Sequence, residues 1–232
     1  DGKLVVVSPN TTDFQPNLDE FKSKITDKTK AVIINSPNNP TGVVYSEETI
    51  IKLTNILKEK QKELGTDIYL ISDEPYRELV YDNIQVPYLT KYYDNTIVGY
   101  SYSKSLSLPG ERIGYVAVNP ACRDAETIVN MCGQISRGIG HNCPPSLIQL
   151  AVAEVLDETA DLSVYERNRN LLYACLKELG FVCVKPGGTF YLFPKALEED
   201  AKVFCEKALA YDLVFVPGDT FGCPGYFRMA YC

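Results

Sequence analysis

A series of short apolar runs constrains the fold of this chain most strongly. The runs "KLVVVS", "AVIINSP", "DIYLISDEP", "NTIVGYS" and "RIGYVAV" alternate with longer amphipathic segments over the first half of the sequence. Most of these runs are apolar on both faces, and such strands must lie between two layers of helices. The pattern therefore predicts an α/β fold with a mostly parallel central sheet and helices on both of its faces.

Two amphipathic segments in this half are predicted to be helices, "NLDEFKSKI" and "SEETIIKLTNILKEKQKEL". Ser46 precedes the second segment and is predicted to be its N-cap, because a serine hydroxyl can accept a hydrogen bond from a backbone N–H of the first turn. Gly65 is predicted to end the same helix, since glycine adopts the left-handed conformation that terminates helices.

The pattern changes after residue 145. The segments "SLIQLAVAEVLDE" and "YERNRNLLYACLKELG" are predicted to be helices, and a further helix is predicted for "EDAKVFCEKALAYD". Between and after them lie the predicted strands "FVCVKP", "TFYLFPK", "LVFVPG" and "YFRMAY". We therefore predict a large domain over residues 1–145, and a connecting helix with a smaller α+β domain over residues 146–232.

Charge and cysteine content narrow the class of protein. The chain has 23 basic and 30 acidic residues, a net charge of −7, which disfavours binding to nucleic acid or to an anionic membrane. No apolar run approaches the roughly 20 residues that span a bilayer. The eight cysteines are scattered without a CxxC pair, so we interpret them as reduced thiols and expect a cytoplasmic protein that acts on small molecules.

Polar side chains follow three of the predicted strands at the point where each strand ends. Asn39 lies in "NNPTG", Asp73 and Tyr76 lie in "SDEPY", and Lys104 lies in "SYSKS". Ligands of open α/β sheets bind beyond the carboxyl ends of the strands. Taken singly, these segments are also typical of a turn, a helix cap and a surface lysine. Their combination predicts a ligand site at one edge of the sheet.

Four motifs carry a resemblance to a known family. The segments "SPNNPTG", "SDEPY", "SYSKSLSLPGERIGY" and "YFRMAY" occur in an order and at spacings that resemble the class I and II aminotransferases, pyridoxal-phosphate enzymes with the aspartate aminotransferase fold. The resemblance implies transfer of an amino group between an L-amino acid and a 2-oxo acid. It also implies pyridoxal 5′-phosphate as the cofactor, no metal, and a homodimer.

The resemblance assigns roles to the residues at the strand ends. Lys104 would form a Schiff base with the cofactor aldehyde and afterwards move a proton between the substrate and the cofactor. Asp73 would keep the pyridine nitrogen protonated, so that the ring accepts electrons. Tyr76 and Asn39 would hydrogen-bond the ring oxygen next to the Schiff base.

The resemblance also assigns anion-binding groups. Arg112 would bind the cofactor phosphate through its two-pronged guanidinium, and the hydroxyls of Ser101 and Ser103 would bind the same phosphate. Arg228 would bind the substrate α-carboxylate, and Asn39 is also assigned to substrate binding; an ion pair with a nearby acidic residue is the alternative for this arginine. We interpret Arg137 and the single histidine, His141, as surface or loop residues, although Arg137 lies near the region where dicarboxylate-specific members carry a second arginine.

The resemblance also leaves alternative functions open and implies that the chain is incomplete. A C–S lyase or decarboxylase on the same scaffold is an alternative enzyme, and a ligand-sensing domain of a transcription regulator is an alternative outside enzymes. The chain is expected to be an internal fragment that lacks the amino-terminal part and the final helix of the family. We therefore expect the 232-residue chain to bind the cofactor poorly when isolated.

Overall fold

The computed structural model describes residues 2–232, and its larger sheet has four strands in the order β1-β2-β3-β4. These strands are β1 (Ala31–Asn35), β2 (Tyr69–Asp73), β3 (Thr96–Ser101) and β4 (Gly114–Val118). β1 and β3 each pair with β2 in parallel, whereas β4 pairs antiparallel with β3. The predicted α/β fold with a mostly parallel sheet is confirmed.

One predicted strand is absent. The segment that contains Leu4, Val5 and Val6 has no regular structure, and these side chains are 80%, 55% and 61% exposed. β-branched composition favours a strand only where a neighbouring strand supplies hydrogen bonds and packing. No strand within residues 2–232 pairs with this segment. The prediction of a strand for "KLVVVS" was therefore wrong.

The first half contains four helices, α1 (Leu18–Lys24), α2 (Glu47–Leu64), α3 (Tyr102–Ser105) and α4 (Ala125–Gly138). The predicted caps of α2 are confirmed. The Ser46 hydroxyl accepts a hydrogen bond from the Thr49 backbone N–H at 3.1 Å, and Gly65 ends the helix with φ +62°. α4 was not predicted from the sequence.

The main core lies between α2 and the sheet. Ile50, Leu53 and Leu57 on α2 pack with Ile68 and Leu70 of the β2 segment, and all five side chains are at most 1% exposed. Burying each such side chain contributes about 1.5–3 kcal/mol to folding. This packing fixes the strands, and therefore the loops at their carboxyl ends.

The second half contains α5 (Ser146–Ala153), α6 (Leu162–Glu178) and α7 (Ala201–Leu209), with a small antiparallel sheet of β5 (Tyr191–Leu192), β6 (Val216–Pro217) and β7 (Phe227–Ala230) in the order β5-β7-β6. The predicted strand "FVCVKP" is an extended segment instead, with one backbone bond from Lys195 N to Val182 O at 2.8 Å. Short 3₁₀ turns occupy Leu89–Lys91, Pro109–Glu111 and Gly218–Phe221. The division into domains at residue 145 stays a prediction.

Two general features bear on the class of protein. All eight cysteines are free in the part of the chain that the structure describes. None of the helices described between residues 2 and 232 is both long enough and apolar enough to cross a bilayer.

Candidate active site

The candidate site lies where β1, β2 and β3 end. Asn35 and Asp73 are the last residues of β1 and β2 and face each other in the parallel register, and Ser101 is the last residue of β3. The polar loops that follow these strands therefore start from one edge of the sheet, where open α/β sheets bind ligands.

The Asp73 carboxylate is exposed at this edge and accepts a hydrogen bond from Asn35. Asn35 Nδ2 donates to Asp73 Oδ2 and to the Asp73 backbone oxygen, each at 3.0 Å. Desolvation at the strand end raises the pKa of Asp73 above its usual value, the Asn35 bond opposes this shift, and the charge of Glu74 adds to it. Asn35 thus helps to keep the carboxylate ionised.

Asn35 also binds the loop that follows its own strand. Its Oδ1 accepts a hydrogen bond from the Asn39 backbone N–H at 2.7 Å. One amide therefore connects the loop of Asn39 with the carboxylate of Asp73. Asn35 was not predicted as a site residue. The available signal was its position as the last residue of a strand beside the strand of Asp73.

Asn39 and Arg228, both predicted to bind substrate, are in direct contact. Arg228 Nη1 donates to Asn39 Oδ1 at 2.8 Å, and the guanidinium carbon lies 4.4 Å from the Tyr191 ring centroid and 4.9 Å from that of Phe221. Cation–π contacts of this kind stabilise a partly buried arginine without neutralising its charge. Within residues 2–232 no carboxylate forms a salt bridge with Arg228.

Tyr76 is buried, with 4% of its surface exposed. Its hydroxyl lies 3.4 Å from the Tyr191 hydroxyl, and its ring packs edge-to-face on Phe190 with centroids 5.6 Å apart. Burial is the main cause that raises the pKa of the Tyr76 phenol well above its ordinary value, and the hydrogen bond with Tyr191 raises this pKa further. Tyr76 is therefore a neutral phenol that can donate a proton in a hydrogen bond at physiological pH.

Lys104 lies on the one-turn helix α3, close to Tyr76. Its Nζ is 5.9 Å from the Tyr76 ring centroid and 5.5 Å from that of Phe190. Ser101 caps α3, since its Oγ accepts a hydrogen bond from the Ser103 N–H at 3.2 Å, and the Ser101 hydroxyl also donates to Ser103 Oγ at 2.7 Å. In the part of the chain that the structure describes, Lys104 has no salt bridge.

Arg112 precedes β4, whose first residue, Gly114, pairs with Ser101 at the end of β3. Its side chain is exposed, and Nη1 donates to the Pro109 backbone oxygen at 2.7 Å. The backbone of Arg112 is left-handed, with φ +53°, a conformation that costs about 1–3 kcal/mol for a residue with a side chain. Arg112 therefore lies two residues before the strand residue that pairs with Ser101, and its role in binding the phosphate stays a prediction.

The segment that carries Phe190 and Tyr191 enters the site between the loops of β1 and β2. Gly188 N donates to Gly42 O at 2.9 Å, and Thr189 N donates to Leu79 O at 2.8 Å. A Cβ on Gly42 would lie 2.3 Å from Pro186 Cβ, so this close approach requires glycine. This segment was predicted to be a strand, but not to be part of the site.

Two residues that the sequence analysis considered lie outside this arrangement. Arg137 is exposed in the last turn of α4, and His141 is exposed in the loop that follows. Within residues 2–232 neither side chain hydrogen-bonds any of the site residues described above. Both are consistent with the surface roles that we expected.

The donor set fits pyridoxal phosphate. The arginine and the two serine hydroxyls near the end of β3 suit a phosphate, and the exposed carboxylate of Asp73 suits a protonated ring nitrogen. The Lys104 amine suits an aldehyde, because no carboxylate in the described chain holds it as an ion pair.

Comparisons with known proteins identify the family of the chain. The family profile described as "Aminotransferase class I and II" matches residues 1–232. A crystal structure of an aminotransferase from Eubacterium rectale is 52% identical, with a TM-score of 0.95, and the match covers 99% of this chain and 58% of that one. Aspartate aminotransferase of Thermotoga maritima is 34% identical over 232 residues, 98% of this chain and 58% of the relative.

A third relative carries a different substrate in its name. Aromatic-amino-acid aminotransferase 2 of Thermococcus litoralis is 33% identical over 234 residues, which are 94% of this chain and 57% of the relative. A crystal structure of the Thermotoga maritima aspartate aminotransferase aligns with a TM-score of 0.84, which confirms the predicted pyridoxal-phosphate transferase fold. The chain spans somewhat more than half the length of these relatives. It belongs to the class I and II aminotransferase family.

Proposed function

We propose that the protein is a pyridoxal-phosphate-dependent aminotransferase that moves an amino group between an L-amino acid and a 2-oxo acid. The observation that carries the proposal is the Lys104 amine, which has no ion pair in the described chain and lies 5.5–5.9 Å from the rings of Phe190 and Tyr76. The names of the relatives from Thermotoga maritima and Thermococcus litoralis support the same activity.

The residues of this chain divide the binding of the cofactor among them. Arg112, Ser101 and Ser103 bind the phosphate, and Asp73 binds the protonated ring nitrogen. Tyr76 and Asn39 donate to the ring oxygen; Asn39 Nδ2 is suited to this role because its Oδ1 is occupied by Arg228. When bound, pyridoxal phosphate supplies an aldehyde that captures amines and a ring that accepts electrons.

Substrate binding is assigned to Arg228, and proton transfer is assigned to Lys104. Arg228 binds the α-carboxylate in two-pronged geometry, held in place by Asn39 and by the ring of Tyr191. Lys104 Nζ, as a neutral amine, would hold and move the proton at the substrate α-carbon, first as a general base and then as a general acid.

The assembly and location of the protein are part of the proposal. We infer a homodimer from the family resemblance, and a cytoplasmic location from the free cysteines and the cysteine spacing.

Product analysis tests the activity. The natural full-length protein that carries these residues is incubated with pyridoxal phosphate, 2-oxoglutarate, and L-aspartate or an aromatic amino acid. We expect L-glutamate and the corresponding 2-oxo acid in equal amounts, and no product with Lys104→Ala. Release of a thiol with ammonia, or of carbon dioxide, would instead support the lyase or the decarboxylase, and cofactor binding without turnover would support the ligand sensor.

A further inference from the structure

The helix that carries Lys104 cannot hold its own shape. α3 contains only four residues, Tyr102–Ser105, and a helix of one turn gains too few hydrogen bonds to offset its nucleation cost. Its geometry must therefore come from contacts with the rest of the protein. These contacts decide where the Lys104 amine points.

Ser105, the neighbour of Lys104, is fixed by a chain of side-chain hydrogen bonds. Ser105 is 2% exposed, and its Oγ lies 2.9 Å from the Tyr100 hydroxyl oxygen, which in turn lies 2.7 Å from Glu78 Oε2. An ionised carboxylate can only accept, so the Tyr100 hydroxyl donates to Glu78. The single phenolic proton is then used, and the Ser105 hydroxyl must donate to Tyr100.

The chain of hydrogen bonds joins two parts of the candidate site. Glu78 lies two residues after Tyr76, in the turn that follows β2, whereas Ser105 lies in the helix that follows β3. The Ser105 backbone oxygen also accepts a hydrogen bond from Ala160 N at 2.8 Å. The Tyr100 hydroxyl therefore connects the turn of Tyr76 with the helix of Lys104 and fixes their relative position.

The ring of Tyr100 is held independently of its hydroxyl. It stacks on Tyr115 with centroids 5.0 Å apart and planes inclined at 22°, and it packs edge-to-face on Tyr102, also at 5.0 Å. The Tyr115 hydroxyl has no side-chain hydrogen bond within residues 2–232. Removing the hydroxyl of Tyr100 or that of Tyr115 would leave the two rings stacked. Only the loss of the Tyr100 hydroxyl would break the chain of hydrogen bonds from Glu78 to Ser105.

We propose that Glu78, Tyr100 and Ser105 are positioning residues that orient the Lys104 amine toward Tyr76. The proposal rests on the proposed function, because Lys104 must be the residue that captures the cofactor aldehyde. None of the three side chains needs to touch the cofactor or the substrate.

The test is the rate at which the natural full-length protein captures added pyridoxal phosphate, followed by the absorbance of the lysine-bound cofactor. Tyr100→Phe should slow this capture by about threefold to tenfold, the equivalent of one lost hydrogen bond. Tyr115→Phe, the matched control, should leave the rate unchanged. Glu78→Leu should slow capture as Tyr100→Phe does, whereas Glu78→Gln keeps an acceptor for Tyr100 and should restore most of the rate.

A merely structural role predicts a different pattern. It would lower the urea midpoint of unfolding of Tyr100→Phe without changing the capture rate of the folded protein. If the chain of hydrogen bonds positions Lys104, its loss in Tyr100→Phe should also lower kcat while leaving KM for the amino acid unchanged, since the Arg228–Asn39 contact is untouched. Should Tyr100→Phe fail to fold, Ser105→Ala breaks the same chain of hydrogen bonds and must show the same loss.

Equal capture rates for the unaltered protein and Tyr100→Phe would overturn the positioning proposal alone. So would equal losses in Glu78→Gln and Glu78→Leu, because the effect would then come from the charge of Glu78. If the unaltered protein developed no absorbance of lysine-bound cofactor, the proposed function would fail and the positioning proposal with it.

Discussion

At the scale of single residues, the side chain of Asn35 affects two of the proposed cofactor contacts. It donates to the Asp73 carboxylate and accepts from the Asn39 backbone. Because its donation lowers the pKa of Asp73 while desolvation raises that pKa, Asn35→Ala should raise the pKa of Asp73 further. During acidification, the Asp73 carboxylate of this variant would then lose its charge at a higher pH than that of the unaltered protein.

This shift is measurable in cofactor binding. The acid limb of pyridoxal-phosphate affinity should move to higher pH in Asn35→Ala, and further in Asn35→Asp, which replaces the donor with a second carboxyl group. Titration of cofactor binding against pH checks both variants. Acid limbs that coincide with that of the unaltered protein would contradict this role of Asn35.

Arg112 is proposed to bind phosphate and has no contact with the reacting groups. Arg112→Ala should therefore weaken cofactor affinity by about tenfold to 150-fold, the value of a hydrogen bond to a charged group. Turnover at saturating cofactor should change little. Arg137→Ala is the matched control, since Arg137 is exposed on α4. Unchanged cofactor affinity with reduced turnover in Arg112→Ala would show that the role of Arg112 is misassigned.

At the scale of elements, the close contact of three loops depends on Gly188. A Cβ at this position would lie 2.8 Å from Pro37 Cβ and 2.9 Å from the Leu79 oxygen, closer than real Cβ contacts. Gly188→Ala should therefore force the loops of β1 and β2 apart and lower the free energy of unfolding by about 1–3 kcal/mol.

Gly133→Ala is the matched control, since a Cβ at Gly133 in α4 has no neighbour within 4 Å. This variant should keep the stability of the protein or raise it by up to about 1 kcal/mol. Urea unfolding measures both changes. A Gly188→Ala protein as stable as Gly133→Ala would mean that the loops adjust without strain.

Elements with strong local signals were predictable from the sequence. α2 has a capping serine, an amphipathic face and a terminal glycine, and each acts as predicted. α4 was missed because it contains β-branched residues and Gly133, which have low helix propensity. A parallel sheet aligns its strand ends, so it was also predictable that the loops of Asn39, Asp73 and Lys104 start from one edge of the sheet. The bonds made by Asn35 and Gly188 depend on how separate loops pack, and local sequence does not encode this.

At the scale of the whole molecule, the outer strands of the larger sheet are exposed. Within residues 2–232, β1 and β4 each pair on one side only, and Ile33, Tyr115 and Val116 are 65%, 48% and 55% exposed. Exposed strand edges with apolar side chains favour association. The 232-residue chain expressed alone should therefore self-associate, and Val116→Lys should reduce the association.

Size-exclusion chromatography with light scattering measures this association. A monodisperse monomer over a range of concentrations would contradict the expected behaviour of the exposed strands. The same preparation tests whether the chain alone retains the cofactor after dialysis, which we expect it to do poorly.

The central claim is that Lys104 is the lysine that captures the cofactor. The most direct measurement is reduction of the natural full-length protein with borohydride in the presence of pyridoxal phosphate, followed by peptide mapping by mass spectrometry. We expect a stoichiometric pyridoxyl group on Lys104, and none on the same peptide of Lys104→Ala. A stoichiometric label on a different lysine, or no label on any lysine, would contradict it.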